Sequence, residues 1–172
     1  MAAIKSSIDL AMERTEGMRL SAEERERRRH QQTKELAASL VLRWQSEDLS
    51  PQALTKEVQA KEADNPGLRR EMLGLVFRKV GLKAQEPSLL ELIRLLDPEK
   101  SEEYQQIIES YRKEAETRKH SLREDARRAL MQQSVSGTAV VPNENGWQEW
   151  RAWLSSEEQA MREALLAALD FG

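Results

Sequence analysis

The stretch PEKSEEYQQIIESYRKEAETRKHSLREDARRALMQQS, residues 98–134, decides the fold of this chain. Residues 99–134 contain no glycine or proline, and most of them are good helix formers. A helix of about 37 residues is about 55 Å long, whereas a compact globule of this chain length is about 40 Å across. The predicted helix must therefore project from the body, bend, or pair with another long helix.

Apolar residues recur along this helix at close to heptad spacing. They are Tyr104, Ile108, Tyr111, Ala115, Leu122 and Ala129. Arg118 and Asp125 stand at positions of the seam where apolar residues are expected, so the pattern does not predict a strong autonomous coiled coil. A second long helix is predicted over residues 22–47, and we expect the two to form an elongated, hairpin-like extension.

The second long helix begins at a recognisable signal. Ser21 and Glu24 occupy the two positions of a capping box. The first half, EERERRRHQQTKE at residues 23–35, is polar on all sides and carries Glu and Arg at i,i+4 spacing. The second half carries one apolar stripe: Leu36, Leu40, Val41 and Trp44. We therefore expect one end of this helix to lie in solvent and the other end to join the core.

A compact bundle of short helices is predicted over about residues 50–97. Ser50-Pro51, Asp64-Asn65-Pro66-Gly67 and Pro87 mark the helix starts and breaks within it. The run SLLELIRLL, residues 88–96, is apolar on most faces, which is typical of a buried helix. We expect the buried residues to include Trp44, Leu75, Val76, Leu89, Leu92, Ile93 and Leu96.

The composition favours an all-α fold. Leu (22), Ala (19) and Glu (24) far outnumber Val (7) and Ile (5). At most one short β-segment is expected, near residues 138–141. The last helix is predicted to begin at Ser155, which forms a capping box with Glu158. We predict one elongated helical domain over residues 1–172, with a core at 36–97, the long helix at 98–134, a loop at 135–146 and a C-terminal Trp segment and helix at 147–172.

Several classes of protein are excluded by composition. The chain has no cysteine, which excludes disulfides, thiolate catalysis and cysteine-ligated metal sites. The first residues lack the apolar segment of a secretory signal, and no apolar run approaches the roughly 20 residues that span a bilayer. We expect a cytoplasmic protein with no membrane partner. The net charge of −3 gives no general attraction to nucleic acid.

No residue pattern in the sequence indicates catalysis. The two histidines, His30 and His120, lie in highly charged helical stretches without an accompanying constellation of Ser, Asp or Glu. Metal-ligand motifs and glycine-rich phosphate loops are also missing from the sequence. We expect no catalytic residue, no cofactor, no metal and no small-molecule substrate, with an unrecognised carboxylate site as the remaining enzymatic alternative.

Three tryptophans spaced three residues apart form the most distinctive feature of the chain: Trp147, Trp150 and Trp153. At 100° per residue they cover about 120° of a helix, which makes one aromatic face. The face is either a satellite core that fixes the C-terminal segment or a docking surface for a partner. As a docking surface it would act together with Val140 and Val141, and we call these five residues the Val–Trp segment.

Two Arg-rich stretches suggest a different function. Residues 23–35 carry five Lys or Arg against four Glu, a net charge of +1, and residues 112–128 carry seven against four acidic residues, a net charge of +3. If the two helices lay side by side, their basic faces would merge into a patch for nucleic acid. The contacts would come from Arg25, Arg28, Arg29, Arg123 and Arg127.

The sequence leads to two functional hypotheses. The first is a non-enzymatic, α-helical protein-interaction protein, such as an adaptor, a small scaffold or a chaperone-like subunit. It would use its long helices and the Val–Trp segment to bind another protein or a second copy of itself. The alternative is a nucleic-acid-binding accessory protein that uses the two Arg-rich helices.

Overall fold

The computed structural model of this chain describes residues 21–82, 87–133 and 147–170. Within those ranges 85% of the residues are helical and no strand is present, which confirms the all-α prediction. The β-segment predicted at 138–141 lies outside the described residues. No helix among the described ones is long and apolar enough to cross a membrane.

Six helices make up the described part of the chain. They are α1 (Ala22–Gln45), α2 (Pro51–Glu62), α3 (Leu68–Lys79), α4 (Pro87–Leu96), α5 (Ser101–Gln132) and α6 (Gln148–Asp170). The capping box predicted for α1 is complete, because Ser21 Oγ accepts from the backbone N–H of Glu24 at 3.1 Å and Glu24 Oε2 accepts from that of Ser21 at 2.8 Å. Ser50 Oγ accepts from the backbone N–H of Ala53 at 3.2 Å and so caps α2 as predicted.

The start of α5 differs from its prediction by about one turn. Residues 98–100 form a turn, and the helix begins at Ser101 rather than at Pro98. The Asp97 carboxylate stabilises that turn, because its Oδ1 accepts from the backbone N–H of Lys100 at 3.2 Å. The helix then runs for 32 residues, or about 48 Å.

The predicted start of the last helix is wrong. Ser155 lies inside α6, which begins at Gln148 and is continuous to Asp170. Glu158, the second member of the predicted capping box, has another partner: its Oε1 accepts from the backbone N–H of Leu82 at 3.1 Å. The carboxylate therefore fastens α6 to the chain just after α3 instead of capping a helix.

One hydrophobic core is shared by all six helices. Of the seven residues predicted to be buried, six are buried: Trp44, Val76, Leu89, Leu92, Ile93 and Leu96. Leu75 is only half-buried, because it lies about 100° around α3 from Val76 and so falls at the edge of the buried face. The core also extends beyond residues 36–97 and includes Tyr104, Ile108, Ala115, Trp150, Leu154, Met161 and Leu165.

The long helices have separate main partners. α1 packs chiefly on α3, and α5 packs chiefly on α6. This corrects the predicted hairpin of residues 22–47 with 98–134. The physical reason is that α6 offers the apolar seam of α5 a dense set of large apolar side chains, whereas the first half of α1 is polar on all sides and residues 22–32 are exposed.

Side-chain contacts show that α1 and α3 run in the same direction. His30 Nε2 lies 3.9 Å from Glu71 Oε1 near the start of α3. At the other end, the Lys79 ammonium donates to the side-chain oxygen of Gln45. The exposed amino-terminal half of α1 therefore lies at the end of the bundle where α3 begins.

Helices α3 and α6 run in opposite directions. The backbone of Gly74 lies against Leu166, and Leu82, just after α3, is bound to Glu158. Moving forward along α3 thus means moving backward along α6. The start of α6 consequently lies at the end of the bundle where α3 finishes.

Helices α5 and α6 are also antiparallel. The Lys100 ammonium, just before α5, donates to the backbone carbonyl of Ala168 at 3.0 Å. Trp153, near the start of α6, lies beside Thr117 in the second half of α5. Since α1 and α5 therefore run in the same direction, the exposed first half of α1 and the second half of α5 lie toward opposite ends of the bundle.

Tyr104 anchors the start of α5 in the core. Its ring packs edge-on against Phe77 with 4.9 Å between centroids, and its hydroxyl donates to Asp97 Oδ2 at 3.0 Å. Burial raises the pKa of this phenol above its ordinary value, and the hydrogen bond to Asp97 adds to the rise. The stability that this tyrosine contributes is thus present below about pH 10 and is lost as the pH rises toward the folded-state pKa.

We expect Tyr104→Phe to reduce the loss of folding stability between about pH 9 and pH 11. The parent should lose stability there because its phenol ionises more readily in the unfolded chain. At neutral pH the substitution should cost about 1 kcal/mol, the value of one hydrogen bond. Urea unfolding at several pH values measures both effects, with Tyr111→Phe as the control for loss of a tyrosine. An unchanged pH slope in Tyr104→Phe would contradict this assignment.

Candidate interaction surface

The structure separates the arginines predicted to contact nucleic acid. Arg25, Arg28 and Arg29 lie on the exposed first half of α1, and Arg123 and Arg127 lie on the second half of α5. These halves point toward opposite ends of the bundle. Arg123, the nearer of the two α5 arginines to the start of that helix, already lies about 33 Å along it. The two groups therefore do not merge into one basic face.

Acidic neighbours partly neutralise the α5 group. Arg127 Nη1 lies 3.0 Å from Glu124 Oε1, and Arg128 pairs with Asp125 in the same i,i+3 geometry. Both pairs are largely exposed, so each stabilises the helix by no more than about 1 kcal/mol. Their importance is that they reduce the net positive charge that this end of α5 presents to an anionic partner.

The three tryptophans have different environments. Trp150 is buried with 7% exposure, and Trp147 and Trp153 are half-buried at the edge of the core. The rings of Trp150 and Trp153 stack with 5.3 Å between centroids and 21° between planes. Trp150 thus belongs to the core, as the satellite-core interpretation requires, while Trp153 extends the stack outward. Val140 and Val141 lie outside the described residues.

Trp153 borders an open groove of about 390 Å³ between α5 and α6. We call this the α5–α6 groove, and its lining residues are Glu114, Thr117, Arg118, Ser121 and Trp153. The four residues from α5 recur at three- and four-residue spacing and therefore share one face of the helix. All four are exposed, so the groove joins a half-buried indole to a polar wall.

The polar wall of the groove carries one charge of each sign. Glu114 and Arg118 are four residues apart on α5 but do not pair with each other, and neither side chain makes an ion pair with any other described residue. The Thr117 hydroxyl donates to the backbone carbonyl of Lys113 at 2.8 Å, which satisfies its polar atom within the helix. Glu114 and Arg118 are the charges that this surface offers to a partner.

Polar contacts on α6 hold the groove in place. Besides the bond between Glu158 and Leu82, Arg162 Nε donates to the backbone carbonyl of Val80 at 3.2 Å. Lys100 binds the carbonyl of Ala168 near the other end of the helix. These contacts fix the register of α6 against its neighbours, and that register sets the position of Trp153 beside α5.

A second cleft, of about 520 Å³, lies beside the exposed half of α1. Its lining residues are Glu23, Glu26, Arg27, Arg29, His30, Thr33 and Pro66. Charges of both signs are interspersed there, and the buried Thr33 hydroxyl is satisfied by the backbone carbonyl of Arg29 at 3.0 Å. This cleft therefore lacks both an aromatic anchor and a charge of one dominant sign.

Neither composition nor comparison assigns a chemical activity. Within the described ranges no group of three or more His, Asp or Glu side chains is placed to hold a metal ion. Comparison of the chain with protein-family models, curated proteins and solved structures gives no match. Among the described residues, the geometry of the α5–α6 groove is the feature that points to a function.

Sequence reasoning identified Trp153 but not its neighbours in the groove. The tryptophan spacing indicated a shared helix face, which is a local property. The proximity of Trp153 to Arg118 depends on the antiparallel register of α5 and α6, which has no local signal in the sequence. The groove is for this reason a product of tertiary packing.

Proposed function

We propose that this protein is a non-enzymatic, helical protein-interaction module that binds its partner at the α5–α6 groove. The observation that supports this most is the position of Trp153, which is half-buried, stacked on a buried tryptophan and open to the groove. Tryptophan is enriched among the residues that dominate binding energy. Because the stack already holds the indole, its binding costs little further side-chain entropy.

The second half of α5 enlarges this surface. Ala115 is the last buried residue of α5, and the 17 residues that follow, 116–132, add about 25 Å of helix. Leu130 there is half-buried, and Met131 is 66% exposed. A helix that keeps apolar side chains accessible beyond its own core is a surface on which a partner can pack.

Charge favours a protein partner over nucleic acid. The groove contributes Glu114 and Arg118, whose charges cancel, and the whole chain has a net charge of −3. Nucleic-acid binding requires a coherent basic surface because phosphate contacts dominate its affinity. The Arg groups of α1 and α5 lie too far apart to form one.

Site-specific photo-crosslinking tests the proposed function. We expect p-benzoylphenylalanine at Ser121, in the groove, to form a defined adduct in the native cells, whereas the same group at Ser39 should not. Both serines are exposed on helices, so Ser39 is a matched control. Because Trp153 is the proposed anchor, adding Trp153→Ala should reduce the yield at Ser121 at least about tenfold, equivalent to about 1.4 kcal/mol. Equal adducts from both positions, or a yield unaffected by Trp153→Ala, would contradict the proposal.

A further inference from the structure

We infer that the α5–α6 groove binds a second copy of this chain, with the two α5 helices packed antiparallel across the face that carries Glu114 and Arg118. This inference rests on the function proposed for the groove and names its partner. It follows from the charge pattern of α5, the small residues of the groove and the position of Trp153.

The charges of this face are complementary to themselves. A two-fold axis perpendicular to α5 at the level of residue 116 places Glu114 of one copy opposite Arg118 of the other, and the reverse pair forms at the same time. Each copy supplies the counter-charge that Glu114 and Arg118 lack among the described residues. A parallel arrangement would instead bring like charges together, so the pattern selects the antiparallel one.

A second set of charges agrees with the same axis. Glu103 lies 13 residues before residue 116, and Arg128 lies 12 residues after it. Both are exposed and lie on the same side of α5 as the groove. The axis therefore brings Glu103 of one copy to the level of the Arg128–Asp125 pair of the other, where Glu103 becomes a second carboxylate beside the Arg128 guanidinium.

Trp153 supplies the apolar centre of this interface. It borders the groove at the level of Thr117, one residue from the axis, on the side where α6 packs. The two-fold axis places this side of both copies on the same side of the dimer. The two Trp153 indoles therefore meet near the centre of the interface. The small side chains of Thr117 and Ser121 let the helices approach closely, and about 390 Å³ of groove accommodates an indole ring.

A partner of one charge sign fits the groove less well. An acidic segment would satisfy Arg118 but oppose Glu114, and a basic segment would do the reverse. A copy of the same surface satisfies both. Since the groove is polar apart from Trp153, we expect a weak dimer with a dissociation constant in the micromolar range.

Charge reversal with sedimentation equilibrium tests the inference on the full chain. We expect a monomer–dimer equilibrium that Arg118→Glu and Glu114→Arg each weaken about tenfold or more, because like charges then meet. The double variant Glu114→Arg/Arg118→Glu should restore the parent dissociation constant to within about threefold, since the two-fold axis exchanges the reversed charges. The matched controls are Lys56→Glu on α2 and Glu109→Arg, which is exposed on the opposite side of α5 and should leave dimerisation unchanged.

The outcomes separate this inference from the proposed function. A chain that remains monomeric at high micromolar concentration, or a double variant as weak as the single ones, overturns the antiparallel dimer. If the adduct at Ser121 then contains a different protein, the interaction function stands and the second copy is excluded. A dimer together with an adduct of twice the chain mass supports the interaction function and the second copy as its partner. If neither a dimer nor an adduct forms, both proposals are wrong. Trp153→Ala should also weaken the dimer, and circular dichroism verifies that every variant is folded.

Discussion

Replacing Ile93 with Asp is expected to lower the free energy of unfolding by about 4 kcal/mol or more. Ile93 is 1% exposed in α4, a helix whose buried residues also include Leu89, Leu92 and Leu96. A carboxylate at this position would be surrounded by apolar side chains and would have to be buried either ionised without a partner or neutral with a raised pKa. For a chain of this size, the melting temperature should fall by roughly 8 °C or more.

Urea unfolding followed by circular dichroism measures this loss. Ile93→Val is the matched control, because it removes one buried methylene-sized group without adding charge and should cost only about 1 kcal/mol. A melting temperature of Ile93→Asp within a degree or two of the parent would show that α4 is not the centre of the core. A similar loss in the valine variant would show that the charge is not the cause.

Truncating Trp150 to Ala is expected to cost about 3–5 kcal/mol of folding stability. Its ring is buried and stacked on Trp153, so the substitution leaves a cavity in the core and removes the support of the stack. Trp153→Ala should cost much less, about 1–2 kcal/mol, because its half-buried ring already borders open space. The difference between these two losses of folding stability distinguishes a core residue, Trp150, from a surface residue, Trp153.

The same two variants link stability to function. Trp153→Ala should impair partner binding while the fold remains intact, whereas any loss of binding in Trp150→Ala should follow its loss of stability. Equilibrium unfolding measures the folding stability of each variant, and the crosslink yield at Ser121 measures its partner binding. Equal destabilisation by the two truncations would mean that Trp153 is a core residue and would remove the anchor of the proposed surface.

Local interactions allowed several elements to be predicted from the sequence. The capping box of Ser21 and Glu24 and the Ser50-Pro51 start depend on atoms within a few residues of one another, so the chain around them does not change the outcome. The apolar faces of α1 and α4 follow from the 3.6-residue period in the same way. Ile93 and its neighbours could be placed in the core because α4 is apolar on most faces.

Tertiary structure decided which apolar face meets which partner. The seam of α5 fits many apolar surfaces, and its spacing alone does not distinguish α1 from α6; the choice depends on the combined burial of all six helices. The prediction for Glu158 failed for the same reason. Its spacing from Ser155 fits a capping box, but in the folded chain its carboxylate accepts from the backbone N–H of Leu82, a residue distant in sequence. The tryptophan face was therefore a property of the sequence by itself, whereas the burial of Trp150, the exposure of Trp153 to Arg118 and the separation of the two Arg groups arose only from the register and direction in which the helices pack.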